Sequence, residues 1–395
     1  MQKLSPRFNL GQALTWADNE MDAETISGFG QVLWQITPDL ELGLGARWTA
    51  EDREHSQMVR TITRPDRTVE WLPAPVPNPL GNPDLGSDNW SPEVSLTWTA
   101  TESLTVFANL KQAYKSGSFD LTTAKPGEDS SFKDEKVQGG ELGLKSRWLD
   151  DTLAFNASGY YYKYDDMQVE KNVFDPANGV FGVKTTNAAS AEVYGVDVDV
   201  TYVPPALEGL TLFGALNWNK AEYEDFADAD CWIGQSLAQG CNIDVDGDGK
   251  GDYQDLAGEP LVRAPEWTAN FGFDYATPVF ADMTLRLGSN TQYSDSYSAS
   301  PTNFKDAYQD SYVKTSANIG LVGANDRWVV EVIGDNLTDE IVYGACNPQT
   351  YRENYIVGST TAGTGTANGK LPETACFVER GRSVWLRLTW NLGGD

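Results

Sequence analysis

The sequence predicts an all-β protein: a single antiparallel, up-and-down transmembrane β-barrel domain of about fourteen strands spanning residues 1–395. Three observations predict it. Hydrophobic residues recur with a period of two almost everywhere, and no window shows a helical stripe of comparable strength. Many of the periodic runs exceed the five or six residues typical of soluble sheets and reach the roughly nine to eleven that a tilted membrane strand needs. Short and long connections alternate along the whole chain, as tight turns on one side of a membrane and long loops on the other would.

The elements follow in order. A first strand is placed at 8–16, with the polar stretch 17–25 read as a loop. Strands at 26–36 and 40–50 turn at Thr37-Pro38, and Leu40, Leu42, Leu44, Ala46 and Trp48 alternate with Glu41, Gly43, Gly45 and Arg47. The long connection 51–90 contains Pro73, Pro75, Pro77 and Pro79, a stiff extended run. Strands 91–99 and 102–114 meet at Ala100-Thr101, with Leu104, Val106, Ala108 and Leu110 on one face. After a loop at 115–138, strands 139–148 and 152–170 turn at Asp150-Asp151. A loop at 171–183 leads to strands 184–203 and 210–224, joined at Pro204-Pro205, where Val196, Val198 and Val200 alternate with Asp197, Asp199 and Thr201. The loop 225–265 precedes strands 266–276 and 282–294. The loop 295–311 precedes strands 312–322 and 327–336. The connection 337–381 leads into a last strand at 382–391, with Val384, Leu386, Leu388 and Trp390 in phase. In such a barrel the apolar face meets lipid and the charged face, including Glu41, Arg47, Glu141, Lys145, Arg147, Asp197, Asp199 and Arg387, lines a wet lumen. The final strand follows a long loop, so the C-terminus is expected on the periplasmic side and the long loops outside the cell.

Composition narrows the function. The net charge of −28 repels phosphate backbones and argues against nucleic acid. A single histidine, His55, leaves almost no room for His-based metal sites or triads. The chain carries no G-x-S-x-G, H-E-x-x-H or phosphate-loop motif, so no enzymatic activity is expected. No run approaches a transmembrane helix in length, and Met1 to Leu10 lack the apolar centre of an export signal. Trp48, Trp98, Trp148, Trp218 and Trp267 fall near strand ends, where aromatic belts are expected.

Several stretches, taken together and in order, resemble the TonB-dependent outer-membrane receptors. They are Gly30-Gln31, Ile36-Thr37-Pro38-Asp39-Leu40 and Gly45-Ala46-Arg47-Trp48-Thr49, then Ala113-Tyr114-Lys115-Ser116-Gly117-Ser118-Phe119. Glu141-Leu142-Gly143-Leu144-Lys145-Ser146 and Tyr160-Tyr161-Tyr162-Lys163-Tyr164-Asp165-Asp166-Met167-Gln168-Val169 follow. Tyr194-Gly195-Val196-Asp197, Ala264-Pro265-Glu266-Trp267-Thr268 and Asn336-Leu337-Thr338-Asp339-Glu340 complete the series. The resemblance implies a Gram-negative outer-membrane receptor that takes up a scarce nutrient such as a ferric siderophore, vitamin or glycan. Its partners would be membrane lipid and a small organic or metal-chelate substrate. Family barrels have about 22 strands around a plug. This chain matches from about the ninth strand, without plug, coupling box or signal peptide, and it ends without the family's usual terminal aromatic residue. TonB-type energy coupling would therefore need a plug supplied by a longer chain. Fragment and genuine shortened barrel both remain open, the first favoured. The rival functions are a passive 14-stranded channel and a calcium-dependent surface β-protein.

Two local constellations carry chemistry. Asp244, Asp246, Asp248, Asp252 and Asp255 occupy the first, third, fifth, ninth and twelfth positions of a calcium-loop pattern, with Gly249 sixth and Lys250 offering its carbonyl seventh. Two departures are Asp255, shorter than the usual bidentate Glu, and Gly251, where an aliphatic residue is usual. The expectation is a bare structural Ca²⁺ loop; the alternative is a solvated acidic turn. Cys231 with Cys241, and Cys346 with Cys376, fall as close pairs in expected external loops, and an oxidising compartment makes them disulfides. Trp71, Trp232, Tyr351 and Tyr355 are loop aromatics that could grip an organic substrate, or merely pack loop on loop.

Overall fold

The computed structural model describes residues 2–3, 7–8, 13–63, 76–121, 127, 129–175, 180–232, 235–245, 247, 249, 251–280, 282–323, 327–349 and 373–391. Thirteen long strands dominate. They are β1 (Ala13–Thr37), β2 (Leu40–Thr63), β3 (Asp84–Thr101), β4 (Leu104–Lys115), β5 (Glu135–Trp148), β6 (Leu153–Asp175) and β7 (Val180–Tyr202). β8 (Leu210–Asp225), β9 (Trp267–Pro278), β10 (Thr284–Ser294), β11 (Tyr312–Val322), β12 (Trp328–Asp335) and β13 (Ser383–Trp390) complete the wall. Each pairs antiparallel with its sequence neighbours, and three two-residue strands near β1 and β2 bring the sheet to sixteen. Among the described residues the path runs linearly from Gln2–Lys3 to β13, whose residues are exposed on both faces.

The register sorts the side chains. Directly paired residues share a face. Leu42, Leu96, Ala108, Leu142, Gly159, Val196 and Trp218 form one continuous row across β2–β8. One residue along, on the opposite face, the row reads Glu41, Thr97, Phe107, Gly143, Ser158, Asp197 and Asn217. The apolar face is the exposed one: Leu110 is 67 % exposed, Phe271 60 % and Leu388 70 %. A water-soluble sheet buries that face, so this wall is built for an apolar surround.

Aromatic rings bound the apolar band. Tyr161, Tyr194, Trp218 and Trp267 stand on successive strands β6–β9 with neighbouring ring centroids 6.4, 6.0 and 6.4 Å apart. The outward row above them is polar: Gln112, Gln138, Lys163, Glu192 and Glu222. Eight positions away on the same strands and face lie Trp98 (from Trp90), Tyr202 (from Tyr194) and Tyr275 (from Trp267). Eight residues are about 27 Å along a strand and about 21 Å along the normal at a tilt near 40°, close to the band of about 25 Å expected of membrane barrels.

Two expectations are corrected. The predicted loop 17–25 is instead strand: β1 runs unbroken from Ala13 through Asp18–Thr25 into the predicted strand 26–36, paired residue for residue with β2 (Asn19 with Gln57, Met21 with His55, Thr25 with Glu51), while Phe8 lies in a separate short strand that pairs back on Leu14. Strands β2, β3, β6 and β7 likewise extend well beyond their predicted ends. The cause is the same in each. Above the aromatic belt both faces of a hairpin meet water, so the period-two pattern disappears while the ladder continues. Polar stretches such as Asp18-Asn19-Glu20 then read as loops. Two expected long loops are affected: 17–25 is strand, and 171–183 shrinks to residues 176–179 between β6 and β7, a shorter connection than 203–209 between β7 and β8.

Candidate functional site

The site is built at the end of the wall where the long connections gather. The inward face leading to it is polar and carries many of its own hydrogen bonds. Side-chain amides donate to carboxylates on it: Gln35 to Glu41 at 2.7 Å, Asn217 to Asp197 at 2.6 Å, Asn156 to Asp199 at 2.9 Å and Asn318 to Glu331 at 3.0 Å. Arg387 also reaches Glu331 at 3.3 Å. These carboxylates have neighbours on the wall itself, which suits a structural lining better than a reactive centre.

The connection between β4 and β5 folds inward as a clasp. Its short strands Ser118–Phe119 and Ser131–Phe132 pair with each other. Asp134 accepts from the Ser87 hydroxyl at 2.6 Å, the Asn89 amide at 2.7 Å and the Gly117 backbone N–H at 2.6 Å. Burial works against its charged form, but those donors and the Arg53 guanidinium outweigh it and hold the carboxyl below the usual carboxylate range. On one side Phe119 packs on the His55 ring at 5.2 Å, and Asn19 donates to the Leu121 carbonyl at 3.2 Å. On the other, Asn187 and Lys133 exchange two hydrogen bonds at 2.6 and 2.9 Å, and Asp120 accepts from the Thr185 N–H at 2.9 Å. The clasp thus spans from β1–β2 to β7. His55 is almost completely buried here, within a polar cluster: Asn19 Oδ1 lies 3.0 Å from its Nε2 and accepts from Gln57 at 2.8 Å.

The three later long connections form a platform. Ala299, Phe304, Ala307 and Cys346 are buried together, with Trp232, Tyr297, Tyr343 and Cys376 packed against them. The Cys346 N–H donates to Ala299 O at 2.7 Å, the Tyr343 N–H to Gln309 Oε1 at 2.7 Å and the Gln254 amide to Thr302 O at 2.9 Å. The Tyr297 hydroxyl donates to Tyr343 O at 2.8 Å, and burial pushes its phenol up to about 12. Both expected disulfides are present, Cys231–Cys241 and Cys346–Cys376.

The expected site residues fare differently. Trp232 belongs to the loop core, its ring 4.8 Å from Phe304, so in this structure it packs rather than projects. Trp71, Tyr351 and Tyr355 lie outside the described residues, as do Asp246, Asp248 and Lys250. Asp244 accepts from the N–H groups of Gly247 at 2.7 Å and Gly249 at 2.9 Å, and Asp252 accepts from Val245 N–H at 2.8 Å. Gly247 and Gly249 take positive φ (77° and 83°), which folds the loop around Asp244. Asp255 turns to the Ala257 N–H at 2.9 Å. Gly251 has its own reason: a Cβ there would stand 1.8 Å from the Cys241 carbonyl oxygen. The aliphatic residue usual at that position is excluded by the backbone of the adjacent disulfide loop.

Sequence reasoning missed Asn19, His55, Gln57, Phe119 and Asp134. Only Phe119 had a local signal, as the end of the Tyr114–Phe119 stretch; the others act through Asn19, Leu121, Ser87 and Asn89, partners 36 to 102 residues away.

The comparisons agree with this architecture. The family model described as TonB dependent receptor-like, beta-barrel, matches residues 4–337. The pesticin receptor of Yersinia enterocolitica is 24% identical over 186 residues, 46% of this chain and 24% of that protein. The ferric yersiniabactin uptake receptor of Yersinia pestis superposes with a TM-score of 0.64 at 15% identity, over 95% of this chain and 46% of that one. The siderophore receptor PiuA of Acinetobacter baumannii gives 0.61 at 16%, over 94% and 44%. This chain spans less than half the length of each of these relatives. With a period-two wall, an aromatic-bounded apolar band and a family match over most of its length, the chain belongs to the TonB-dependent receptor β-barrel family.

Proposed function

We propose that this chain forms the outer-membrane wall and external loop assembly of a receptor that takes up a small organic or metal-chelate substrate, a ferric siderophore first among them. One observation carries the reading: an outward apolar band bounded by aromatic rings backs onto a polar inward face whose loop end is gathered into a clasp and a platform. The family and the siderophore receptors among its relatives support the substrate class. The loop end faces outside the cell, the short turns and the Trp390 end of β13 face the periplasm, and TonB coupling would enter through a plug inside the wall. Capture of radioiron-loaded siderophores by cells displaying the protein tests this. Retention of none of them, or recovery of the chain from membranes without detergent, overturns it.

The segment Asp244–Asp255 is proposed to be a structural Ca²⁺ loop beside the Cys231–Cys241 bridge. The inward turn of Asp244 and the positive φ of Gly247 and Gly249 support it. Chelator should lower the unfolding temperature of the platform, and an unchanged value counts against the site.

A further inference from the structure

We propose that His55 is a proton-operated latch: its uncharged ring locks the clasp to the β1–β2 flank, and protonation of the ring frees it. His55 is the only histidine of the chain. It stands on the part of β2 above the aromatic belt and is 1 % exposed. The ring bridges the junction. Its Nε2 lies 3.0 Å from Asn19 Oδ1 on β1, and its centroid is 5.2 Å from that of Phe119 on the clasp. Its other nitrogen, Nδ1, is buried with no hydrogen-bond partner.

The neighbours fix which nitrogen carries the hydrogen. The Asn19 amide nitrogen donates to the Leu121 carbonyl of the clasp at 3.2 Å, which turns its oxygen toward the ring. That oxygen can only accept, and it also accepts from Gln57 Nε2 at 2.8 Å. Nε2 is therefore the protonated nitrogen and Nδ1 the bare one, so the locked ring is neutral. A second proton must go to Nδ1, where the new N–H finds no acceptor and the charge finds no water. No carboxylate compensates. Arg53, two residues along β2 on the ring's own face, is itself a cation and is engaged with Glu51 at 2.5 Å. Glu54 on β2, its cross-strand partners Asp22 and Asp84, and Asp18 and Glu20 on β1 lie on the opposite face. Asp120 of the clasp is turned to the Thr185 N–H at 2.9 Å. The segment 78–83, whose Pro83 carbonyl accepts from the His55 backbone, has no ionisable side chain. The Phe119 ring attracts a cation, but burial prevails and holds the imidazole below its ordinary 6.5.

The locked ring resists the proton and a freed ring does not. The lock is thus at full strength above pH 6.5 and weakens as pH falls below it. Release takes up one proton, so the released fraction rises by up to about tenfold between pH 7.5 and 5.5. Asp134, held below 3.8, stays charged over that range and keeps its grip on β3. The full chain in detergent micelles serves for the test. Hydrogen exchange at Asn78, whose N–H donates to Gln57 O, and at Asp120, whose N–H donates to Ser130 O, reads the junction. Ladder amides of β10 and β11 correct for the intrinsic effect of pH. Relative to them, exchange at the junction should rise by up to about tenfold from pH 7.5 to 5.5. His55→Gln keeps an amide donor for Asn19 and cannot titrate, so it should flatten that response. Nitrogen NMR of the labelled ring should show hydrogen on Nε2 at neutral pH and a midpoint below 6.5. A junction indifferent to pH, an equal response in His55→Gln, or a neutral ring with its hydrogen on Nδ1 overturns the latch. If His55→Gln opens the junction at both pH values, the ring titration of the unaltered chain decides. Junction exchange that follows the ring's midpoint upholds the latch, and exchange with a different midpoint overturns it.

Discussion

Cutting the Cys346–Cys376 bridge should loosen the platform without unzipping the wall. The bridge joins the short strands Tyr343–Gln349 and Glu373–Val378 and closes a loop of 30 residues. The chain-entropy relation gives about 3.6 kcal/mol for a loop of that size and about 2.7 kcal/mol for the 10-residue Cys231–Cys241 loop. At about 1.4 kcal/mol per factor of ten, those losses raise the open fraction of the platform about 400-fold and about 100-fold. Cys346 is also the hub: it is fully buried, its N–H holds Ala299 O, and Phe304 and Ala307 pack in the same cluster. Hydrogen exchange on the paired alanine replacement Cys346→Ala with Cys376→Ala reads the effect. The informative amides are those of Cys346, which donates to Ala299, and Ala299, which donates to Ala307. Ladder amides of β10 and β11 serve as the internal reference. Exchange should rise steeply at the former and stay unchanged in the latter. Unchanged exchange at Ala299 with the bridge absent would refute the platform as a cross-linked unit. Equal acceleration in the wall would refute its independence.

Other perturbations test other parts. Asp134→Asn should release the clasp, exposing residues 117–132 to protease while leaving the wall intact. Acid should do the same to the unaltered protein: the Asp134 carboxyl is depressed below its ordinary 3.8, so its contribution is full above that value and is lost as pH falls through the lower folded value. The platform should respond to alkali. The Tyr297 phenol is raised to about 12, so its contribution is complete below pH 10 and disappears as pH rises through about 12, measurable as loop exchange or tyrosinate absorbance. Tyr297→Phe should cost the platform about 1–3 kcal/mol, because the Tyr343 carbonyl loses its donor in a partly buried site. Gly195→Ala should destabilise the wall by about 1–3 kcal/mol, since its Cβ would fall 2.1 Å from Trp218 O and 2.6 Å from the Tyr160 hydroxyl oxygen; unfolding in detergent reads this.

What the sequence could reveal tracks where a periodic signal exists. Inside the apolar band each strand faces lipid on one side and water on the other, so Leu40–Trp48 and Val384–Trp390 announce themselves. Above the band that asymmetry ends, and Asp18–Thr25 looks like a loop although its pairing with β2 continues. Disulfides were legible because cysteine has few other uses in an oxidising place. The clasp was not, because Asp134, Ser87 and Asn19 are ordinary polar residues whose meaning lies in distant partners. Trp232 shows the converse: an aromatic ring in a long loop suggested ligand contact, yet Phe304 supplies its partner from another loop.

The clasp has a mechanical consequence. A curved sheet with two flanks tends to flatten or spread unless something joins the flanks across the opening. Residues 117–121 and 129–134 make such a tie: Phe119, Leu121 and Asp134 hold β2, β1 and β3, while Asp120 and Lys133 hold β7, by contacts that do not belong to the strand ladder. The upper wall is therefore a tied arch: its radius at the loop end is set by these crossing contacts as well as by strand twist and register. Removing the contacts to either flank would let the mouth widen, with no change to any strand.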